Sequence, residues 1–160
     1  MLSPGGGRLI VGLSGPAMLA DKKHAEHMEP WRVRADRVLS FVAGIVDPAP
    51  FDERKPPRVS EADGTLLAAF DADEGRQSLL VEIHELSDPF GPTITDEGVT
   101  SLVVTKETEA GGASVNRRRV EKGWPPLEVG VVDLLMDGGQ KLSSTELRRK
   151  AGEKTAVGTA

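Results

Sequence analysis

The chain has 160 residues and 38% hydrophobic content, enough to build one sizeable core and therefore one expected domain. Its formal net charge of −5 argues against broad nucleic-acid binding, which depends on a basic face that neutralises phosphates. The sequence contains no cysteine, which excludes disulfides, thiolate metal sites and thiol nucleophiles and fits a reducing cytoplasm. No apolar run approaches the roughly 20 residues that span a bilayer, so we expect a soluble, cytoplasmic protein without a membrane partner.

The first half of the chain predicts one strand, one helix and a long insertion. Residues 1–7 are glycine-rich and are expected to be flexible. The apolar run Arg8 to Leu13 is typical of an interior strand of a parallel sheet. From Trp31 onward, apolar residues recur at spacings of three and four and predict an amphipathic helix that ends before Pro48. These apolar residues are Trp31, Ala35, Val38, Val42 and Ile45. Residues 47–77 are rich in proline and acidic residues and predict a flexible, disordered inserted loop.

The second half alternates strands and helices. Strands are predicted over Leu79 to Leu86, Thr100 to Thr105 and Leu127 to Leu135, with a helical turn near Asp96 and Glu97. Helices are predicted from Ala113 to Lys122, stopped by Gly123, and again after Ser143, with residues 152–160 as a frayed tail. This alternation favours an α/β fold, a Rossmann-like doubly wound parallel sheet over residues 8–151, with ligands at the carboxyl ends of its strands.

The segment Leu142 to Arg148 has the sequence L-S-S-T-E-L-R at a predicted helix start. Free backbone amides at a helix start, together with the helix dipole, favour an anion, and an arginine one turn later can add a forked pair of hydrogen bonds. The pattern therefore predicts a phosphate-binding turn. The alternative is that Ser143 or Ser144 only caps the helix while Arg148 is solvated.

Three segments in fixed order carry a family resemblance. They are D-P-F-G-P-T at residues 88–93, V-V-T-K-E-T at 103–108 continuing through Gly111-Gly112 to V-N-R-R-R at 115–119, and S-S-T-x-x-R at 143–148. A weaker match lies at Ile10-Val11-Gly12 and Lys22-Lys23-His24-Ala25-Glu26. Together they resemble the phosphopantetheine adenylyltransferases of the eukaryotic and archaeal type, including the adenylyltransferase part of bifunctional CoA synthase, in the cytidylyltransferase-like nucleotidyltransferase superfamily.

The resemblance implies transfer of AMP from ATP to 4′-phosphopantetheine, with Mg²⁺ assisting, to give dephospho-CoA and pyrophosphate. Such transfer is catalysed mainly by positioning and by charge stabilisation. Carried over to this sequence, Ser143, Ser144 and Thr145 hold the β- and γ-phosphates of ATP, and Arg148 stabilises the departing pyrophosphate. Lys22 or Lys23 contacts the attacking phosphate. Glu107, Asn116 and Arg119 line the nucleotide or pantetheine side.

The sequence departs from the family at one defining element, a first strand that ends in T/H-x-G-H. No such segment occurs in the 160 residues, so the resemblance implies an N-terminally truncated fold and impaired activity. His24 and His27 do not replace it, and their spacing is more typical of a wet helix face than of a metal site, so no protein metal site is expected. The gap left by a central strand would expose sheet edges that favour self-association.

Two other functions stay open on the sequence. One is a non-catalytic ATP- or CoA-binding module that keeps the phosphate-binding turn. The other is an interaction domain in which the basic clusters at 117–119 and 148–150 are solvated helix faces.

Overall fold

The computed structural model describes residues 6–49, 52–72, 77–134, 136–137, 140–141 and 143–157. In chain order, its elements are β1 (Gly7–Ser14), α1 (Pro16–Leu19), α2 (Trp31–Val46), β2 (Arg58–Ala62), β3 (Thr65–Phe70), β4 (Leu79–Leu86), β5 (Ser101–Thr105), α3 (Glu109–Glu121), β6 (Glu128–Val132), β7 (Met136–Asp137), β8 (Gln140–Lys141) and α4 (Ser144–Val157). Single 3₁₀ turns lie at Ala25–His27 and Gly91–Ile94. The predicted α/β class is confirmed, with parallel strand pairs and helices alternating along the chain.

The described residues form two compact units. The first contains the chain up to Met18 and from Glu29 to Ser87, and the second contains Leu19–Met28 and the chain from Asp88 onward. The prediction of a single domain over residues 8–151 stays a prediction.

The first unit is a four-stranded sheet with α2 packed on one face, in the strand order β1-β4-β3-β2. β1 runs parallel to β4, while β3 is antiparallel to both β4 and β2. The predicted α2 is confirmed, although Leu39 faces the core and Ile45 is 65% exposed. The core of the unit joins this helix to the sheet through Trp31, Ala35, Leu39, Val42, Leu66, Ala68, Phe70, Val81 and Ile83.

The prediction of a flexible loop over residues 47–77 is wrong for residues 58–70. These residues form the β2–β3 hairpin, whose turn residues Asp63 and Gly64 have φ angles of 49° and 70°. Positive φ at both central residues suits the right-handed twist of a two-residue hairpin, and Asp-Gly is a favoured pair there. The apolar residues Leu66, Ala68 and Phe70 alternate along β3 into the core. Residues 50–51 and 73–76 of the predicted loop lie outside the described residues.

The interior position predicted for the first strand is also wrong. β1 begins at Gly7 and pairs only with β4 within the described residues, at one end of the sheet. Its side chains are half-buried or exposed, and that of Leu9 is 39% exposed. The apolar run identified a parallel strand correctly, but apolarity alone does not give the number of neighbouring strands.

A polar network crosses the sheet face opposite α2. Glu82 is 8% exposed and accepts two hydrogen bonds from Arg8, at 2.6 and 2.9 Å. His84 lies 3.0 Å from Glu82 and 3.1 Å from the hydroxyl of Thr65, in the structural role that its strand position predicts. The hydrogen bond from Arg8 holds the pKa of Glu82 below its usual 4.5, against the opposing effect of burial. The network thus satisfies a buried carboxylate.

The second unit contains the parallel pair β5–β6 with α3 packed beside it. α3 begins at Glu109, earlier than predicted, and includes Gly112, where a Cβ would lie 3.3 Å from the side chain of Val129. It ends as predicted before Gly123, whose φ of 76° suits a left-handed C-terminal position. The helical turn precedes the predicted Asp96 and Glu97, because the 3₁₀ turn lies at Gly91–Ile94.

The predicted helix after Ser143 is confirmed as α4. It continues to Val157, so the prediction of a frayed tail is wrong for residues 152–157, while residues 158–160 lie outside the described residues. The glycine-rich residues 1–5, Leu135 and Leu142 also lie outside them. No helix in the described part of the chain is long and apolar enough to cross a membrane.

Candidate functional site

The start of α4 combines a helix cap with open backbone donors. The Ser143 hydroxyl accepts a hydrogen bond from the Glu146 amide at 3.2 Å, so this serine is the cap. Ser144 and Thr145 are exposed, and their amides donate to no acceptor within the described residues. These two amides point along the positive end of the helix dipole. Capping by Ser143 and anion binding by the next two residues are therefore compatible.

Arg148 joins this helix start to the loop that carries Lys22 and Lys23. Its Nε donates to the Lys23 carbonyl oxygen at 3.1 Å and its Nη2 donates to the Thr145 hydroxyl at 3.2 Å. Both lysine side chains are exposed, and Arg148 is half-buried. The structure thus brings Lys23, Thr145 and Arg148 together, although the residues lie up to 125 positions apart in the sequence.

The charge at this helix start is locally positive in an acidic chain. Glu146 is the acidic residue of the first turn, and Arg149 forms an ion pair with it. That hydrogen bond, with smaller contributions from Lys150 and His24, holds the pKa of Glu146 below its usual 4.5. Because Arg149 pairs with this carboxylate, Glu146 opposes the binding of an anion at the helix start less than an unpaired acid would, and Arg148 lies one turn further along the same helix.

Arg119, which the resemblance places on the nucleotide or pantetheine side, is buried in the structure with 1% of its surface exposed. Its guanidinium donates to five backbone carbonyl oxygens, those of Thr93, Asp96, Glu97, Val99 and Pro125, at 2.8 to 3.1 Å. An arginine side chain has five N–H donors in total. Every donor of Arg119 is therefore occupied by the protein itself.

Asn116 and Glu107 lie elsewhere in the second unit. The Asn116 amide group accepts from the Leu127 backbone N–H at 2.8 Å and donates to the Leu127 carbonyl at 3.0 Å. This pair of bonds ties α3 to the residue before β6. Glu107 is exposed in the turn after β5. The side-chain hydrogen bonds of Asn116 within the described residues thus go to backbone, as those of Arg119 do, and the ligand roles of Glu107, Asn116 and Arg119 stay predictions.

The D-P-F-G-P segment forms a turn to which no role was assigned from the sequence. The Asp88 carboxylate accepts hydrogen bonds from the Phe90 and Gly91 amides at 2.7 and 3.0 Å. These bonds, that of Gly91 first, hold the pKa of Asp88 below its usual 3.8. The Arg118 guanidinium lies 4.3 Å above the Phe90 ring. An aspartate whose carboxylate can accept hydrogen bonds from the backbone N–H groups two and three positions later is the sequence signal of such a turn.

The donors at the start of α4 fit phosphate oxygens better than a metal ion. They are backbone N–H groups, hydroxyls and cations, whereas Mg²⁺ requires oxygen ligands and retains water molecules. No group of three His, Cys, Asp or Glu side chains that could hold a metal occurs in the part of the chain that the structure describes. A magnesium ion at this site would be held by the phosphates of a nucleotide.

Comparison with known proteins gives relatives with a shared name. The chain is 35% identical to "Phosphopantetheine adenylyltransferase" of Saccharomyces cerevisiae over 147 residues, which is 89% of the chain and 38% of the yeast protein. Proteins of the same name match at 39% over 74 residues in Methanopyrus kandleri and at 27% over 146 residues in Methanosarcina mazei. These matches cover 46% and 91% of the chain, and 47% and 73% of the archaeal proteins. The chain therefore spans less than half the length of the yeast relative.

A solved structure supports the fold alone. The crystal structure of a protein with unknown function from Archaeoglobus fulgidus aligns with a TM-score of 0.50 and 18% identity, covering 84% of this chain and 77% of that one. No protein-family model matches the chain.

Proposed function

Because the chain is homologous to the phosphopantetheine adenylyltransferases of eukaryotes and archaea, we propose that it is a nucleotidyltransferase-family protein of coenzyme A biosynthesis. Its substrates are ATP and 4′-phosphopantetheine, and its products are dephospho-CoA and pyrophosphate. The observation that supports this proposal best is the start of α4, where two open amides lie beside Arg148 and the lysine loop.

In the proposed reaction, an oxygen of the 4′-phosphopantetheine phosphate forms a bond to the α-phosphorus of ATP while the bond between that phosphorus and the bridging oxygen breaks. The Ser144 and Thr145 amides receive the β- and γ-phosphates, and Arg148 neutralises the pyrophosphate as it leaves. Lys22 and Lys23 attract the incoming phosphate. Mg²⁺, if bound to the triphosphate, would supply further charge neutralisation. Protein groups that are already in position lower the barrier because they need no reorganisation during the reaction.

The rate is expected to be low for these 160 residues alone, because they contain no T/H-x-G-H segment. Single donors placed at a developing charge are worth about 10² to 10³ in rate. The alternative is therefore a non-catalytic ATP- or CoA-binding module, which keeps the phosphate-binding turn but does not turn over substrate. An assay must separate this module from an enzyme.

Calorimetric titration with ATP, followed by an assay of dephospho-CoA formation, tests the proposal. We expect Arg148→Ala to weaken ATP binding about ten- to a hundredfold, because a charged hydrogen bond contributes about 1.5 to 3 kcal/mol. Lys150→Ala, an exposed cation on the same helix, is the matched control and leaves the affinity unchanged. Binding with measurable product supports the enzyme, and binding without any product supports the module. Absence of binding by both ATP and dephospho-CoA would contradict both.

The proposal extends to partners and location. We propose small-molecule ligands in the cytoplasm, without nucleic-acid or membrane partners. We also propose self-association through the outer edge of β1, since the backbone N–H and C=O groups of that edge face no neighbouring strand within the described residues. Light scattering across a concentration series tests this last point, and a constant monomer mass would refute it.

A further inference from the structure

The second unit contains an arginine that binds only its own chain. Arg119 lies one helical turn after Asn116 on α3, and its five hydrogen bonds leave its guanidinium no donor for a ligand. Four of the five acceptors lie in residues 93–99, between 20 and 26 positions away in the sequence. If this guanidinium were removed, several buried carbonyl groups would have no hydrogen-bond donor, which costs free energy where water cannot replace the donor.

The hydrogen bonds continue from this segment into the D-P-F-G-P turn. The Thr93 carbonyl accepts from Arg119, while the Thr93 hydroxyl donates to the Phe90 carbonyl at 2.6 Å. Phe90 in turn donates its amide to Asp88. Hydrogen bonds therefore link α3 to the Asp88 carboxylate through Thr93 and Phe90. The Arg118 guanidinium packs over the ring of Phe90, the middle residue of this path.

Arg119 and Asn116, on one face of α3, also hold a second segment, residues 125–127. Arg119 Nε donates to the Pro125 carbonyl at 2.8 Å, and Asn116 binds the Leu127 backbone through both atoms of its amide. The N-x-x-R pair thus holds both neighbouring segments, residues 88–99 and 125–127, against α3. Lys122 adds a further bond to the first segment, since its Nζ donates to the Ile94 carbonyl at 2.6 Å.

We propose that Arg119 is a positioning residue that touches no substrate and acts by fixing the 88–99 segment, which carries the D-P-F-G-P sequence shared with the family. The inference rests on the proposed function for its ATP measurement only. It differs from the role implied by the resemblance, in which Arg119 lines the bound nucleotide or pantetheine.

Hydrogen exchange of the intact chain is the first test. Arg119→Lys keeps the charge but loses the planar five-donor fork. We expect the amides of residues 88–99 to exchange about tenfold faster in this variant, because hydrogen bonds to a charged group contribute at least that factor. Arg117→Lys is the matched control, since Arg117 is exposed and donates to the Ser114 hydroxyl of its own helix. Unchanged exchange in Arg119→Lys would overturn the proposal.

The salt dependence of ATP binding separates positioning from direct contact. Each cation that touches a phosphate contributes to the slope of log Kd against log salt, whereas a remote residue does not. We expect Arg119→Lys to raise the Kd about tenfold, and Arg119→Gln to bind ATP with the wild-type slope. Arg148→Gln, which loses a proposed phosphate contact, is expected to have a shallower slope. Should Arg119→Gln fail to fold, the Arg119→Lys exchange and affinity data decide the matter.

Three outcomes count against the positioning role, and one concerns only the function. A slope reduced in Arg119→Gln as much as in Arg148→Gln would make Arg119 a direct ligand. Faster exchange in Arg119→Lys with unchanged ATP affinity would mean that Arg119 is only structural. Unchanged exchange would mean that Arg119 does not fix the 88–99 segment. If the wild-type chain binds no ATP, the proposed function fails, while the exchange measurement still supports or overturns the fixing of this segment.

Discussion

Arg119 on α3 and Arg148 on α4 both lie in segments that carry the family resemblance, and both belong to the second unit, but their hydrogen bonds differ. Arg119 is buried and gives all of its donors to backbone carbonyls, whereas Arg148 is half-buried and has two hydrogen bonds to protein. Of the two, only Arg148 retains N–H groups that can donate hydrogen bonds to a phosphate. The number of unused N–H donors therefore separates an arginine that is able to bind a ligand from one whose donors are all used within the fold.

Replacing each arginine with alanine tests this comparison with the largest expected effect. We expect Arg119→Ala to lower the free energy of unfolding by about 3 to 5 kcal/mol, because it removes a buried charged group and leaves its acceptors unpaired. Arg148→Ala is expected to cost less than about 1 kcal/mol, since exposed hydrogen bonds are replaced by water. Urea denaturation followed by circular dichroism measures both values. Equal losses in the two variants would refute the distinction.

The two serines at the start of α4 sharpen the picture of the site around Arg148. Ser143→Ala is expected to lower stability by about 1 kcal/mol, because it removes the cap bond to the Glu146 amide. Ser144→Ala, the adjacent control, is expected to change stability by less than about 0.5 kcal/mol, since its side chain is exposed. Thermal unfolding of α4 by circular dichroism separates the two. A larger loss of stability in Ser144→Ala than in Ser143→Ala would show that Ser143 is not the cap.

The smallest expected effect concerns the turn that Arg119 supports. Hydrogen bonds from the Gly91 and Phe90 amides lower the folded-state pKa of Asp88, so this group stabilises the fold above its usual pKa of 3.8. The contribution is lost as the pH falls through the lowered pKa. Because Asp88 is exposed, we expect only a few tenths of a kcal/mol. Unfolding of wild type and Asp88→Asn between pH 2 and pH 6 measures it, and an unchanged difference across this range would contradict the assignment.

The sequence predicts the long periodic elements of the fold well. The apolar spacing from Trp31 predicts α2, and the run from Leu79 to Leu86 predicts β4 with its observed bounds. β2 and β3 were not predicted, because the proline and acidic residues of 47–77 outnumber the alternating apolar residues Leu66, Ala68 and Phe70. The Asp63-Gly64 pair between them was the available hairpin signal.

The candidate site is predictable only where its parts are local. The hydroxyl run and the arginine one turn later indicate the start of α4 from adjacent residues alone. The contact between Arg148 and Lys23 spans 125 positions and depends on packing that no local pattern encodes. Likewise, the spacing of Asn116 and Arg119 gives one helix face but does not reveal that carbonyls of residues 93–99 lie beside it.

The complete occupation of the Arg119 guanidinium bears on how relatives of this chain are sorted. A descendant that had lost all catalysis would still need this side chain to keep two segments in place, so selection for folding alone would preserve the N-x-x-R signature. Its presence in a genome therefore reports inherited architecture and says nothing about turnover. A survey that aims to separate working enzymes from inactive paralogues would do better to score position 148, where we expect substitution to spare the fold and to weaken the binding of the proposed ligand.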